Sequence, residues 1–175
     1  IAGVTIHYTQ SLSVFAASQA KQRDYQGLGN RRPLFAMGNP QYQPDEVPAR
    51  SRRSRARSLA TDAATPLSAL DAQWHNLPGT KIEVESVAAL FGGQARTHLG
   101  EQATEQALQA LNAKGDLTNF KYLLFATHGF LSPTDPSLSS LVLGLVNRAP
   151  GTDGYVTAAE WPSYDLRSDL TVLSA

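Results

Sequence analysis

Phe120-Lys-Tyr-Leu-Leu-Phe-Ala-Thr-His-Gly129 decides how this chain is read. Residues 120–126 are apolar but for Lys121 and do not alternate strictly, the pattern of a strand covered on both faces of a parallel sheet. The run ends in the polar Thr127-His128-Gly129. Such a strand end holds an imidazole by its backbone, half desolvated, at the edge where α/β sheets carry their chemistry. Gly129 is expected to let the chain turn sharply and to keep side chains away from a backbone N–H that an oxyanion needs. Local sequence alone fits a structural His as well as a catalytic one.

A second apolar stretch, Asp169-Leu-Thr-Val-Leu-Ser-Ala175, reads as a neighbouring buried strand. Between and before these two, strands are expected over residues 4–8, 33–37, 95–99 and 141–146. Helical spacing recurs over residues 11–20. It recurs at Val84, Val87, Ala88 and Phe91, and at Ala103, Ala107, Leu108 and Leu111. Thr80 with Glu83 fits a capping box for the second helix, and Gly92-Gly93 and Gly115 fit helix ends. Gly38-Asn39-Pro40 and residues 147–154 read as turns, and residues 157–160 as one helical turn. The whole is expected to be α/β, with a mainly parallel sheet between layers of helix.

Composition bounds the function. The 175 residues fit one domain, or most of one. Fifteen basic and fifteen acidic residues cancel, so no global charge draws the chain to nucleic acid or to an anionic membrane. No apolar run approaches the ~18 residues of a membrane span. The opening Ile1-Ala-Gly-Val-Thr-Ile-His has no basic n-region and reads as the middle of a longer polypeptide. The chain has no cysteine, hence no disulfide and no thiolate metal site of its own. His7, His75 and His98 lie far apart without metal-binding spacing, so no metal is expected. No phosphate-binding loop and no serine elbow occurs. Residues 41–66 carry three prolines and five arginines between Arg50 and Arg57, without an apolar period. They read as an exposed loop. A phosphate or nucleic-acid patch is the sharper alternative, and the lack of interleaved aromatics weighs against it. Ser132, Ser137, Ser139 and Ser140 read as turn chemistry.

Seven short blocks in order resemble the CHAT domain, a caspase-like domain of bacteria often joined to tetratricopeptide repeats. They are His7-Tyr-Thr-Gln-Ser-Leu-Ser-Val14, Leu34-Phe-Ala-Met-Gly-Asn-Pro40, Leu77-Pro-Gly-Thr-Lys-Ile-Glu-Val84 with Glu101-Gln-Ala-Thr-Glu105, Leu124-Phe-Ala-Thr-His-Gly129, Ser139-Ser-Leu-Val-Leu143, Asp153-Gly154 with Thr157-Ala-Ala-Glu160, and Asp169–Ala175. The resemblance implies a caspase-like three-layer sandwich whose remaining C-terminal part lies outside these residues. It implies a cytoplasmic cysteine endopeptidase with a Cys-His dyad. His128 would be the base, Gly129 would supply an oxyanion N–H, and the cysteine would follow Ala175. The substrate would be a protein or peptide. Tetratricopeptide repeats of the parent chain and the remaining part of the fold would be its partners, with no cofactor and no membrane, and nucleic acid through Arg50 to Arg57 as the weakest reading. Asp135, between Pro133 and Pro136, is the candidate pocket acid for a basic substrate residue, with an ordinary turn Asp as its other reading. The competing reading of the domain is an inactive scaffold of the same fold. Catalysis would require the His128 Cα within about 10–12 Å of the Ala175 Cα, one or two strand spacings.

Overall fold

The computed structural model describes residues 11–43 and 67–174. The chain divides into two compact units, residues 1–31 and 32–175. In the first, α1 (Leu12–Gln26) starts where Ser11 accepts the Val14 N–H on its hydroxyl at 3.1 Å. The helix runs six residues past the expected 11–20. The strand expected over residues 4–8 lies outside the described residues.

The second unit is built on a four-stranded parallel sheet. Its strands are β1 (Arg32–Gly38), β2 (Arg96–Leu99), β3 (Phe120–Ala126) and β7 (Leu170–Ser174), in the order β2-β1-β3-β7. Phe35 faces Leu123 across one ladder, and Leu124 faces Val172 across the next. Alternate residues of β1 and β3 feed two cores. Leu34, Ala36, Leu124 and Ala126 meet Val84 of α2 (Pro78–Ala89), with Val87, Ala88 and Phe91 packed beside them. Phe35, Met37, Leu123 and Phe125 meet Leu108 and Leu111 of α3 (Glu105–Ala113) on the other face. The three layers expected from the sequence are present. Each buried Leu or Phe contributes about 1.5–3 kcal/mol.

α2 approaches the end of β1 closely. A Cβ on Gly38 would lie 2.7 Å from Val84 Cγ2 and 3.0 Å from the Thr80 carbonyl oxygen. The expected capping box is not formed. Pro78 fits only the first helical turn, so the helix begins two residues before Thr80 and has Leu77 at its cap. The Thr80 hydroxyl instead accepts the N–H of Asn39, whose φ of 50° makes the turn after β1, at 2.8 Å.

A second, antiparallel sheet starts two residues after β3. It consists of β4 (His128–Phe130), β5 (Ser140–Val142) and β6 (Tyr155–Thr157) in that order. The β-like run expected over residues 141–146 is a strand only to Val142. Beyond it the backbone N–H groups go elsewhere: Leu143 to Gly154, Gly144 to Ala103, Leu145 and Val146 to the Gln41 carbonyl. Glu105, at the start of α3, holds the far turn. Its carboxylate accepts the Asp153 and Gly154 N–H groups at 2.9 and 2.7 Å.

β7 departs from expectation in burial. Leu170, Val172 and Leu173 are exposed, and no β7 residue belongs to either core. Among the described residues the strand lies at the sheet edge, and the helices pack over β2, β1 and β3. Among the described residues no helix is long and apolar enough to cross a membrane.

Candidate active site at the carboxyl edge of the parallel sheet

Parallel pairing brings the carboxyl ends of β1, β3 and β7 to one edge. Ala126 is level with Ser174, and the buried Thr127 continues the pairing by donating its N–H to the Ser174 carbonyl at 3.0 Å. His128 is the next residue. It sits immediately past the ladder that joins β3 to β7, as the sequence reading requires. Ala175 lies outside the described residues, and so does the expected distance to it.

The chain leaving β1 supplies the first wall of the site. Tyr42 is 4 % exposed although it falls in the stretch expected to be an open loop. Residues 44–66 of that stretch, with Arg50 to Arg57, lie outside the described residues. The Tyr42 hydroxyl accepts the His128 N–H at 3.0 Å and donates to the Val142 carbonyl at 2.9 Å. It thus bridges β4 and β5 at their first pair. Burial drives the phenol far above its usual pKa, against the opposing pull of the His128 N–H, so the hydroxyl keeps its proton. The Tyr42 ring lies 4.9 Å from the imidazole.

The segment entering α2 supplies the second wall. The Trp74 ring lies 5.1 Å from the imidazole. The next residue gives its backbone: His128 Nε2 is 2.9 Å from the His75 carbonyl oxygen. A carbonyl only accepts, so Nε2 carries the proton. In the neutral ring, Nδ1 is then the lone-pair nitrogen. The His128 ring makes no second hydrogen bond among the described residues. It is half-buried, neither sealed in the core nor fully solvated. Asn76 ties the two walls together. Its side-chain oxygen Oδ1 accepts the Tyr42 N–H at 2.9 Å and the Gln43 N–H at 3.3 Å. The Gln43 side chain donates to the Trp74 carbonyl at 3.0 Å.

Gly129 lies in extended β4 opposite Leu141, without a positive φ, so the sharp turn expected there is not made. It is exposed at the same edge as His128. Asp135 is exposed at the head of a 3₁₀ turn (Pro136–Leu138), where one carboxylate oxygen accepts the Ser137 N–H at 3.0 Å and the Ser137 hydroxyl at 2.6 Å. Those bonds hold its pKa below the usual range. Ser132 and Ser139 make the same kind of turn contacts. His75 contributes its backbone to His128, while its own ring Nδ1 meets the Gln73 carbonyl at 2.9 Å. His98 stands on β2, separated from β3 by β1, edge-on to Phe35 at 5.2 Å. Burial, with Arg96 nearby, lowers its pKa. His7 lies outside the described residues.

Sequence reasoning missed Tyr42, Trp74 and the His75 carbonyl. A signal existed for Tyr42. It follows the carboxyl end of β1 by four residues, and such loops carry the chemistry of parallel sheets.

The family model described as the CHAT domain matches residues 1–175 of this chain. No curated protein and no solved structure matches it.

Proposed function

The chain belongs to the CHAT domain family, which is of the caspase-like peptidase type, and from that premise we propose that it is the base-bearing part of a cysteine endopeptidase. The observation that carries the proposal is the bond from His128 Nε2 to the His75 carbonyl beside the end of β7. It gives the imidazole a fixed proton on one side and a lone pair on the other, which is what a general base needs.

The nucleophile is a cysteine presented beyond the carboxyl end of β7, after Ala175. Adjacent strands lie about 4.8 Å apart, which suits a dyad shared between β3 and β7. Nδ1 of His128 takes the thiol proton, and the thiolate attacks the carbonyl carbon of the scissile peptide. The Gly129 N–H and the N–H of the cysteine bind the oxygen that becomes negative. Collapse breaks the C–N bond, and Nδ1–H delivers its proton to the leaving amine. Water then attacks the thioester, giving one proton to Nδ1, and the thiol regains that proton as the acid leaves. The His75 carbonyl holds Nε2–H throughout, so no third side chain is required. Asp135 would receive a basic residue of the substrate through the carboxylate oxygen not used in its turn.

Cleavage of a broad peptide library by the parent polypeptide tests the proposal. Loss of the base removes about 10²–10⁴-fold of the rate, so His128→Ala should reduce turnover by that factor. The 175-residue chain alone, which has no thiol, should not cleave at all. Turnover by the parent that is indifferent to His128→Ala would refute the base. No turnover under any condition would favour the scaffold reading.

A further inference from the structure

Behind Trp74 lies a closed circuit of hydrogen bonds that does not touch the reacting groups. Tyr155 of β6 is fully buried. Its hydroxyl accepts the Trp74 indole N–H at 2.9 Å and donates to Asp71 Oδ1 at 2.8 Å. The other Asp71 oxygen accepts Arg148 at 2.7 Å. The same Arg148 nitrogen reaches the Asp153 carbonyl at 3.0 Å, and the Asp153 carboxylate accepts the Tyr155 N–H at 2.9 Å. The circuit joins three separate parts of the chain: the 3₁₀ turn Ser68–Gln73, the 147–154 turn and β6.

This arrangement has a direction. The turn that carries Asp71 runs straight into Trp74 and then His75. Asp71 is fixed by Arg148 and Tyr155, and Trp74 is fixed by Tyr155 on its indole N–H and by Gln43 on its carbonyl. The His75 carbonyl, one residue on, is bracketed by Trp74 and by Asn76. A backbone carbonyl cannot be anchored by a side chain of its own, so its aim depends on its neighbours being fixed. Burial and the Asp71 bond drive the Tyr155 phenol well above its usual range, so the bridge keeps its proton at ordinary pH.

We infer that the Asp71–Tyr155–Trp74 relay is a positioning device for His128. It keeps the His75 carbonyl on Nε2 and thereby keeps the imidazole proton off Nδ1. The inference rests on His128 as the base of the proposed peptidase. Asp71, Tyr155 and Trp74 are positioning residues, since they act on the His128 ring through the backbone of the intervening segment and none of them hydrogen-bonds it.

The test is the tautomer of His128, read by two-bond ¹H–¹⁵N correlation on the ¹⁵N-histidine-labelled 175-residue chain and assigned with His128→Ala. The unsubstituted chain should hold the Nε2–H form. Tyr155→Phe removes one oxygen, and Trp74→Phe keeps a ring beside His128 while removing the donor. In each, the ratio of Nε2–H to Nδ1–H should fall about fivefold, the weight of one hydrogen bond. In the parent polypeptide the same variants should lower kcat about tenfold, as misplacement of a catalytic group does, with KM within about twofold. A tautomer ratio unchanged in both variants overturns the relay, as does a dominant Nδ1–H form in the unsubstituted chain. Should Tyr155→Phe fail to fold, Trp74→Phe decides, because Trp74 is only half-buried. Peptide cleavage that survives His128→Ala defeats the base itself. It leaves the tautomer result standing, so the two failures are distinguishable.

Discussion

Tyr42→Phe isolates one oxygen atom. The ring contact with His128 at 4.9 Å is kept, while the bonds to the His128 N–H and the Val142 carbonyl are lost. The two losses are unequal. Val142 is fully buried, so its carbonyl gains no water in exchange, whereas His128 is half-buried and its N–H is closer to solvent. Leaving one buried polar group short of a partner costs about 1–3 kcal/mol. A domain of this length moves by about 2–4 °C per kcal/mol, so the thermal midpoint should drop by about 2–12 °C. Catalysis in the parent polypeptide should fall further than stability suggests. The hydroxyl fixes the backbone that carries the base, and a small misplacement costs a factor of about ten or more. Thermal denaturation of the 175-residue chain and peptide turnover by the parent are the two assays. A variant with unchanged midpoint and unchanged turnover would refute the bridging role of the hydroxyl.

Two further substitutions probe the frame around the site. Burial pushes the Glu105 carboxyl up to about 7 from 4.5, against the pull of the Gly154 N–H and with Asp153 and Glu160 adding to the rise. The folded state therefore binds the proton more tightly than the unfolded state. This contribution is complete below pH 4.5 and is lost as pH rises through 7. Glu105→Gln should flatten the stability profile across that window, and urea titrations at several pH values that show an unchanged slope would contradict it. Gly38→Ala should destabilise by about 1–3 kcal/mol, because its Cβ meets Val84 and the Thr80 backbone. A neutral result in chemical denaturation would mean that α2 is free to move away from β1.

The sheet was legible where burial dictates residue type. Residues 123–126 and 34–37 are apolar on both sides because both faces are covered, and α3 shows its inward Leu108 and Leu111 at helical spacing. His128 was legible because it interrupts such a run at its end. What was not legible depends on atoms or partners that sequence does not mark. A backbone carbonyl has no signature, so His75 was weighed as a ring and matters as a main chain. The partner of the Trp74 indole lies 81 residues away, beyond any local period. The capping box at Thr80 failed because two local rules competed, and Pro78 set the start of the helix. β7 was expected to be buried because apolar content reports what a strand can pack against. Whether other residues cover it depends on tertiary context, and among the described residues the two cores stop at β3.

The central claim is that His128 activates a thiol presented beyond β7. The most direct measurement is the pH dependence of iodoacetamide alkylation in the parent polypeptide, with and without His128→Ala. A free thiol ionises near 8.5, and one paired with an imidazole does so well below that. A single fast-reacting cysteine is expected, its alkylation profile lying clearly below about 8.5 and moving up toward that value in His128→Ala. Identical profiles in the two proteins, or a residue other than cysteine after Ala175, would contradict it.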